Sequence, residues 1–111
     1  MITDLEYLKT MSGGDSKFIR EMIALFREQV DEYTQMMPDL LNRKKYLDLS
    51  KLAHKAKSSV AVMGMRDVAE LLKELEILAS EEKEVERYEA MVSEFIEKSH
   101  AAVIELEKAT P

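Results

Sequence analysis

The sequence predicts an all-α fold: an antiparallel up-and-down four-helix bundle with a short additional helix at its N-terminus. Three observations carry this. Only three glycines and two prolines interrupt 111 residues, so long stretches run without punctuation. Met, Leu, Glu, Lys and Ala dominate, and all are good helix formers. Apolar residues recur at spacings of three and four in four long segments joined by short polar turns, the pattern of helices that each bury one stripe. The length predicts one domain over residues 1–111, large enough to bury about two thirds of its extended surface. No cysteine is present, which removes disulfides and thiolate chemistry. The longest apolar runs are far short of a membrane span, so no membrane insertion is expected. Residues 1–9 carry Asp4 and Glu6 and lack a basic-then-apolar export signal, so a cytoplasmic location is expected.

The elements follow in order. Asp4 caps a short helix from Leu5 to about Met11, and Ser12-Gly13-Gly14 ends it with a glycine free to turn left-handed. Asp15 is the N-cap of a helix over residues 16–41, with Phe18, Ile19, Met22, Phe26, Val30, Tyr33, Met37 and Leu40 on its apolar face. Pro38 removes one N–H near the end and predicts a bend or an early stop. Residues 42–45 form a polar connection. The next helix covers residues 46–63, and Gly64 stops it. A helix over 66–79 turns Val68, Leu71, Leu72, Leu75 and Leu78 inward. Ser80 then caps a last helix over 81–108, favoured by Glu81, Glu82 and Glu84 at its positive end. Its face carries Val85, Tyr88, Val92, Phe95, Ser99, Val103 and Leu106. The methionines read as core filler and contact edges rather than metal ligands. Tyr33, Tyr46 and Tyr88 read as core or boundary residues, and His100 as a plain helix-surface or boundary residue.

Charge is unevenly spread. The net charge is −6, which argues against nucleic-acid binding. Residues 43–66 nonetheless hold seven basic side chains against Asp48 alone, so that window is +6 and the remainder −12. An acidic chain with one basic helix steers toward an acidic patch on a partner.

His54 lies in that basic window. Leu49, Leu52, Ala53, Ala56, Val60 and Met63 define the buried face, and His54 falls roughly 160° from its centre. Lys57, Ser58 and Ala61 share the exposed strip with it, at about −60°, +40° and −20°. Lys57 can reach oxygens of a group attached to the imidazole. Ser58 and Ala61 are small and leave room for a partner, with Lys51 and Lys55 as flanking contact residues. A neutral imidazole is a good nucleophile, and attack on a phosphoryl group yields a phosphoramidate whose charge Lys57 offsets. The sequence shows no Gly-rich phosphate loop, no defensible Ser–His–Asp arrangement and no metal cluster. No cofactor is therefore expected on the chain itself, and a partner must bring the activated phosphoryl group and the metal.

The segment resembles the histidine phosphotransfer (HPt) domains of bacterial multistep phosphorelays. That family carries a histidine, a lysine three residues on, usually a glycine next, small residues, and a glycine ten after the histidine. Here those positions are His54, Lys57, Ser58, Ser59 and Gly64, with serine replacing the usual glycine at 58. Residues 5–8, 12–15, Phe18, Ile19 and Met22 look like the family's first turn and second helix, and Leu71, Leu75 and Glu76 like its fourth. The resemblance implies a bundle that shuttles phosphoryl groups between receiver-domain aspartates, with His54 phosphorylated and Lys57 as electrostatic support. It implies receiver domains of response regulators, a hybrid sensor histidine kinase, or both as partners, with Mg²⁺ supplied by the receiver. A phosphoryl carrier with no ATPase or autonomous kinase activity is expected, as a monomer.

Two other readings compete. A non-catalytic helical adaptor would dock an acidic partner through the same basic helix. The dimerising hairpin of a sensor kinase would also expose a histidine, but usually with an acidic neighbour after it; here Lys55 stands there, beside four long helices.

Overall fold

Residues 2–109 are described by a computed structural model; Met1, Thr110 and Pro111, the ends of the expected domain, lie outside the described residues. Five α-helices follow in order: α1 (Glu6–Ser12), α2 (Ser16–Asn42), α3 (Tyr46–Val62), α4 (Arg66–Glu81) and α5 (Tyr88–Ala109). Helices α2 to α5 pack each against the next and α5 closes against α2, which is the expected four-helix bundle; α1 packs on α2. The long dimension of 42 Å matches 27-residue α2 at about 1.5 Å per residue.

The stripes read from the sequence form the core. Phe26, Val30, Tyr33 and Met37 of α2 meet Leu49, Ala53, Ala56 and Val60 of α3, Leu72 and Leu75 of α4, and Phe95 and Leu106 of α5. Phe18, Met22, Leu40, Leu71, Leu78, Val85 and Val103 sit at the edge, half-buried. Tyr33 and Tyr88 are buried, and Tyr46 meets Tyr88 edge-on with ring centroids 5.5 Å apart. Met37, Met63, Met65 and Met91 fill the core, while Met11 and Met36 are exposed. His100 is exposed.

Helix ends follow capping chemistry, with several departures from the sequence reading. Helix α1 begins and ends one residue later than expected. Asp4 Oδ1 accepts from the Glu6 N–H at 3.0 Å, but Leu5 occupies the capping position. Asp15 caps α2 as expected, accepting from the Lys17 and Phe18 N–H groups at 2.9 and 3.3 Å. Pro38 does not stop α2, which runs on to Asn42. A proline costs the helix one donor, and the buried Met37 beside it keeps that turn in the core.

Helix α3 ends at Val62, one residue early, where Gly64 takes φ 71° and Met65 N–H reaches the Val60 carbonyl. A side chain at Gly64 would fall on the backbone of Asp4, whose N–H donates to the Met63 carbonyl. The residue that ends α3 thus also seats the N-terminal segment.

The connection between α4 and α5 is the largest departure. Helix α4 continues to Glu81, Ser80 lies inside it with its hydroxyl on the Ile77 carbonyl, and α5 starts only at Tyr88 after a 3₁₀ turn over Val85–Arg87. Ser80 therefore caps nothing. The cause is Tyr88. Its buried hydroxyl lies 2.8 Å from the Leu78 carbonyl and 2.6 Å from that of Lys83, tying the start of α5 to the last turn of α4 and to the loop after it. Burial raises the Tyr88 pKa, which keeps the hydroxyl proton in place. Glu82 and Glu84 turn left-handed to make the loop, at φ 52° and 51°.

Candidate functional site

Helix α3 is amphipathic with small residues on its inner face. Ala53 and Ala56 are fully buried, so α4 approaches closely, and α3 with α4 makes the tightest helix pair in the bundle. Ser50 fixes the register of that pair. Its buried hydroxyl donates to the Glu76 carbonyl at 2.7 Å, one turn before His54.

That register brings Glu76 to the histidine. His54 is exposed, with its side chain 65% accessible, and its Nδ1 lies 2.9 Å from Glu76 Oε2. The other carboxylate oxygen, Oε1, accepts from Lys57 Nζ at 3.1 Å. One carboxylate from α4 therefore holds both residues singled out on α3. Burial works to raise the Glu76 pKa. The Lys57 hydrogen bond and charge together with His54 outweigh it, and the net shift is downward. Glu76 is an anion at neutral pH and can only accept, so Nδ1 is the donor in this bond; of the two neutral tautomers it selects the one with the lone pair on Nε2. The ring is held by its Nδ1 edge while most of the side chain stays accessible.

The remaining strip residues divide by side. Ser58 and Ala61 are exposed, as expected. Ser58 lines a shallow groove between α2 and α3 with Met22, Leu25, Phe26 and Gln29, on the opposite side of α3 from Glu76. Lys51 and Lys55 are exposed and make no ion pair among the described residues. Lys57 departs from the expected exposed strip. It is drawn toward α4 by Glu76 and is only 29% accessible.

Sequence reading placed Glu76 in the fourth helix but gave it no role, because its partner lies 22 residues away on another helix. Leu47 was also missed. It lies two turns before His54 on the same strip and is exposed, an apolar contact among basic neighbours.

The sequence profile described as the Hpt domain matches residues 21–109. The chain belongs to the Hpt domain family. The match spans α3 and α4 with His54, Lys57 and Glu76, and the helical bundle agrees with it. Membership implies a histidine phosphotransfer role in phosphorelays, where Hpt domains interact with receiver domains and kinases. Comparison with curated proteins and with solved structures finds no significant match. Among the described residues, no helix is long and apolar enough to cross a membrane.

Proposed function

We propose that this Hpt domain carries a phosphoryl group on His54 Nε2, exchanging it with the aspartate of a receiver domain. The observation that carries the reading is the bond between Nδ1 and Glu76 on an otherwise exposed ring. In the neutral imidazole that bond selects the tautomer whose lone pair is on Nε2, the nitrogen not engaged by Glu76. In the forward step the Nε2 lone pair forms a bond to phosphorus, the bond from phosphorus to the aspartyl oxygen breaks, and the carboxylate leaves with that electron pair. Glu76 stabilises the positive charge that develops on the ring. Lys57, beside the same carboxylate, supplies a cation for the phosphoryl oxygens. The return step reverses these bonds toward a second aspartate.

No three His, Cys, Asp or Glu side chains converge to hold a metal among the described residues. On this reading Mg²⁺ belongs to the receiver. Lys51 and Lys55 suit the acidic surroundings of a metal-binding aspartate, and Leu47, Ser58 and Ala61 leave an uncluttered surface for docking. We assign residues 1–111 to one such domain, acting as a monomeric carrier in the cytoplasm.

The test is transfer from a phosphorylated receiver, in Mg²⁺, to wild type and to His54→Gln, followed by intact mass. Wild type gains one acid-labile phosphoryl group and the variant gains none. Labelling of His54→Gln refutes the assignment. Equal receiver binding by both proteins with no label on either, using receivers active toward another Hpt domain, supports the adaptor reading instead.

A further inference from the structure

Ser50, His54 and Lys57 stand four and three residues apart on α3, which puts them on one side of that helix. All three bond to a single residue of α4. His54 Nδ1 and Lys57 Nζ donate to the two carboxylate oxygens of Glu76, at 2.9 and 3.1 Å. The Ser50 hydroxyl donates to the backbone carbonyl of the same glutamate, at 2.7 Å. Ser50 is the buried end of this row and His54 its exposed middle.

Neither partner needs the Ser50 bond to be satisfied. A carbonyl inside a helix accepts from an N–H of its own helix and keeps a second lone pair. Glu76 lies inside α4, five residues before its end at Glu81. A helical serine or threonine can return its proton to a carbonyl of its own preceding turn, as Ser80 and Thr34 do. Ser50 instead reaches across to α4. Ala53 and Ala56 let the two helices come close. The directional Ser50 bond fixes where along the axis Glu76 stands. N–H···O bonds hold over about 2.7–3.2 Å, so a slip of α4 by about half an ångström would take the carboxylate, in its present rotamer, out of reach of Nδ1.

We infer that Ser50 is a positioning residue for the transfer reaction, holding Glu76 where its carboxylate meets His54 Nδ1. The inference rests on the proposed carrier role of His54. With the anchor in place, the carboxylate is seated before positive charge develops on the ring, and the neutral ring keeps its lone pair on Nε2. Without it the carboxylate remains on α4 but is seated against the ring less often, and the imidazole exchanges rotamers and tautomers more freely.

The test uses the full chain. Ser50→Ala removes the hydroxyl and leaves a good helix former at a buried position. Imidazole ¹⁵N shifts, read in the neutral ring with no phosphoryl donor present, are expected to show a smaller share of the Nδ1–H form. Single-turnover transfer from a phosphorylated receiver, in Mg²⁺, is expected to slow by roughly two- to threefold, part of the effect of a hydrogen bond to a charged group. Adding Ser50→Ala to Glu76→Ala is expected to slow transfer no further than Glu76→Ala alone, because the anchor then has nothing to position. A wild-type ring or a wild-type rate in Ser50→Ala overturns the inference. So does a double variant slower than Glu76→Ala by the full Ser50→Ala factor, since the hydroxyl would then act independently of Glu76. Wild-type protein that takes no phosphoryl group from receivers active toward another Hpt domain refutes the carrier role itself, and the inference with it.

Discussion

Glu76→Ala isolates what the carboxylate does for the histidine. The substitution removes the acceptor of the Nδ1 proton and the partner of Lys57 together. A hydrogen bond to a charged group contributes about 1.5–3 kcal/mol where solvent is excluded. Here the His54 side chain is 65% accessible, so water replaces much of what is lost. That discount leaves about 1 kcal/mol, which is roughly a fivefold slower transfer. Glu76→Gln retains a carbonyl acceptor for Nδ1–H and is expected to keep most of the rate. Single-turnover transfer from a phosphorylated receiver measures both, and imidazole ¹⁵N shifts report which nitrogen holds the proton. Transfer by Glu76→Ala at the wild-type rate would refute the positioning role, as would a wild-type ring protonated on Nε2. The pH dependence of unfolding gives an independent reading. Lys57 and His54 hold the Glu76 carboxyl below its ordinary value of 4.5. Its contribution is therefore complete above about pH 4.5 and disappears as pH falls through the lowered value, a loss that Glu76→Gln should not show.

Other perturbations test the scaffold. Gly64→Ala is expected to destabilise by about 2–4 kcal/mol, since it adds left-handed strain to a collision with the Asp4 backbone; Gly13→Ala, at φ 65° with open space around it, should cost about 1 kcal/mol, and equal urea midpoints for the two would contradict this account. Ser99 is fully buried and its hydroxyl has no partner among the described residues, so Ser99→Ala should leave the melting temperature unchanged or raise it by the equivalent of about 1 kcal/mol. Glu105 accepts from the Ile2 N–H at 2.9 Å and from the Thr3 hydroxyl at 2.8 Å; the Ile2 bond, offset by burial and aided by Thr3, lowers its pKa. Its stabilisation is complete above about pH 4.5 and lost as pH falls through the lowered value, so Glu105→Gln should flatten the fall in unfolding free energy below pH 4.5.

The long stripes were legible because periodicity is local: Phe26, Val30, Tyr33 and Met37 mark their own helix whatever they pack against. His54 was legible for the complementary reason, lying off its helix's apolar face among basic residues. What sequence could not show was a contact set by two helices at once. The Tyr88 hydroxyl decides where α5 begins by reaching back to Leu78 and Lys83, and a local reading of Ser80 and the following glutamates favoured a helix start seven residues too early. Glu76 was hidden likewise. Its importance depends on the Ser50 bond that sets the register of α3 against α4, and neither residue advertises that bond.

The location of these contacts explains how a small bundle can present an exposed histidine in one orientation. A surface histidine on a lone helix would sample several rotamers and both tautomers. Here the closeness of α3 and α4, permitted by Ala53 and Ala56, puts a carboxylate within 2.9 Å of Nδ1 without burying the ring. The charge arrangement is economical. Lys57 holds one Glu76 oxygen and lowers the carboxyl pKa further, and the carboxylate so fixed keeps its other oxygen on Nδ1. Loss of the lysine would therefore act twice, on the phosphoryl oxygens and on the histidine. Lys57→Gln should then lower the rate of transfer and also weaken the dominance of the Nδ1–H form in imidazole ¹⁵N spectra. A slower rate with an unchanged tautomer would confine the lysine to the phosphoryl group and break that link.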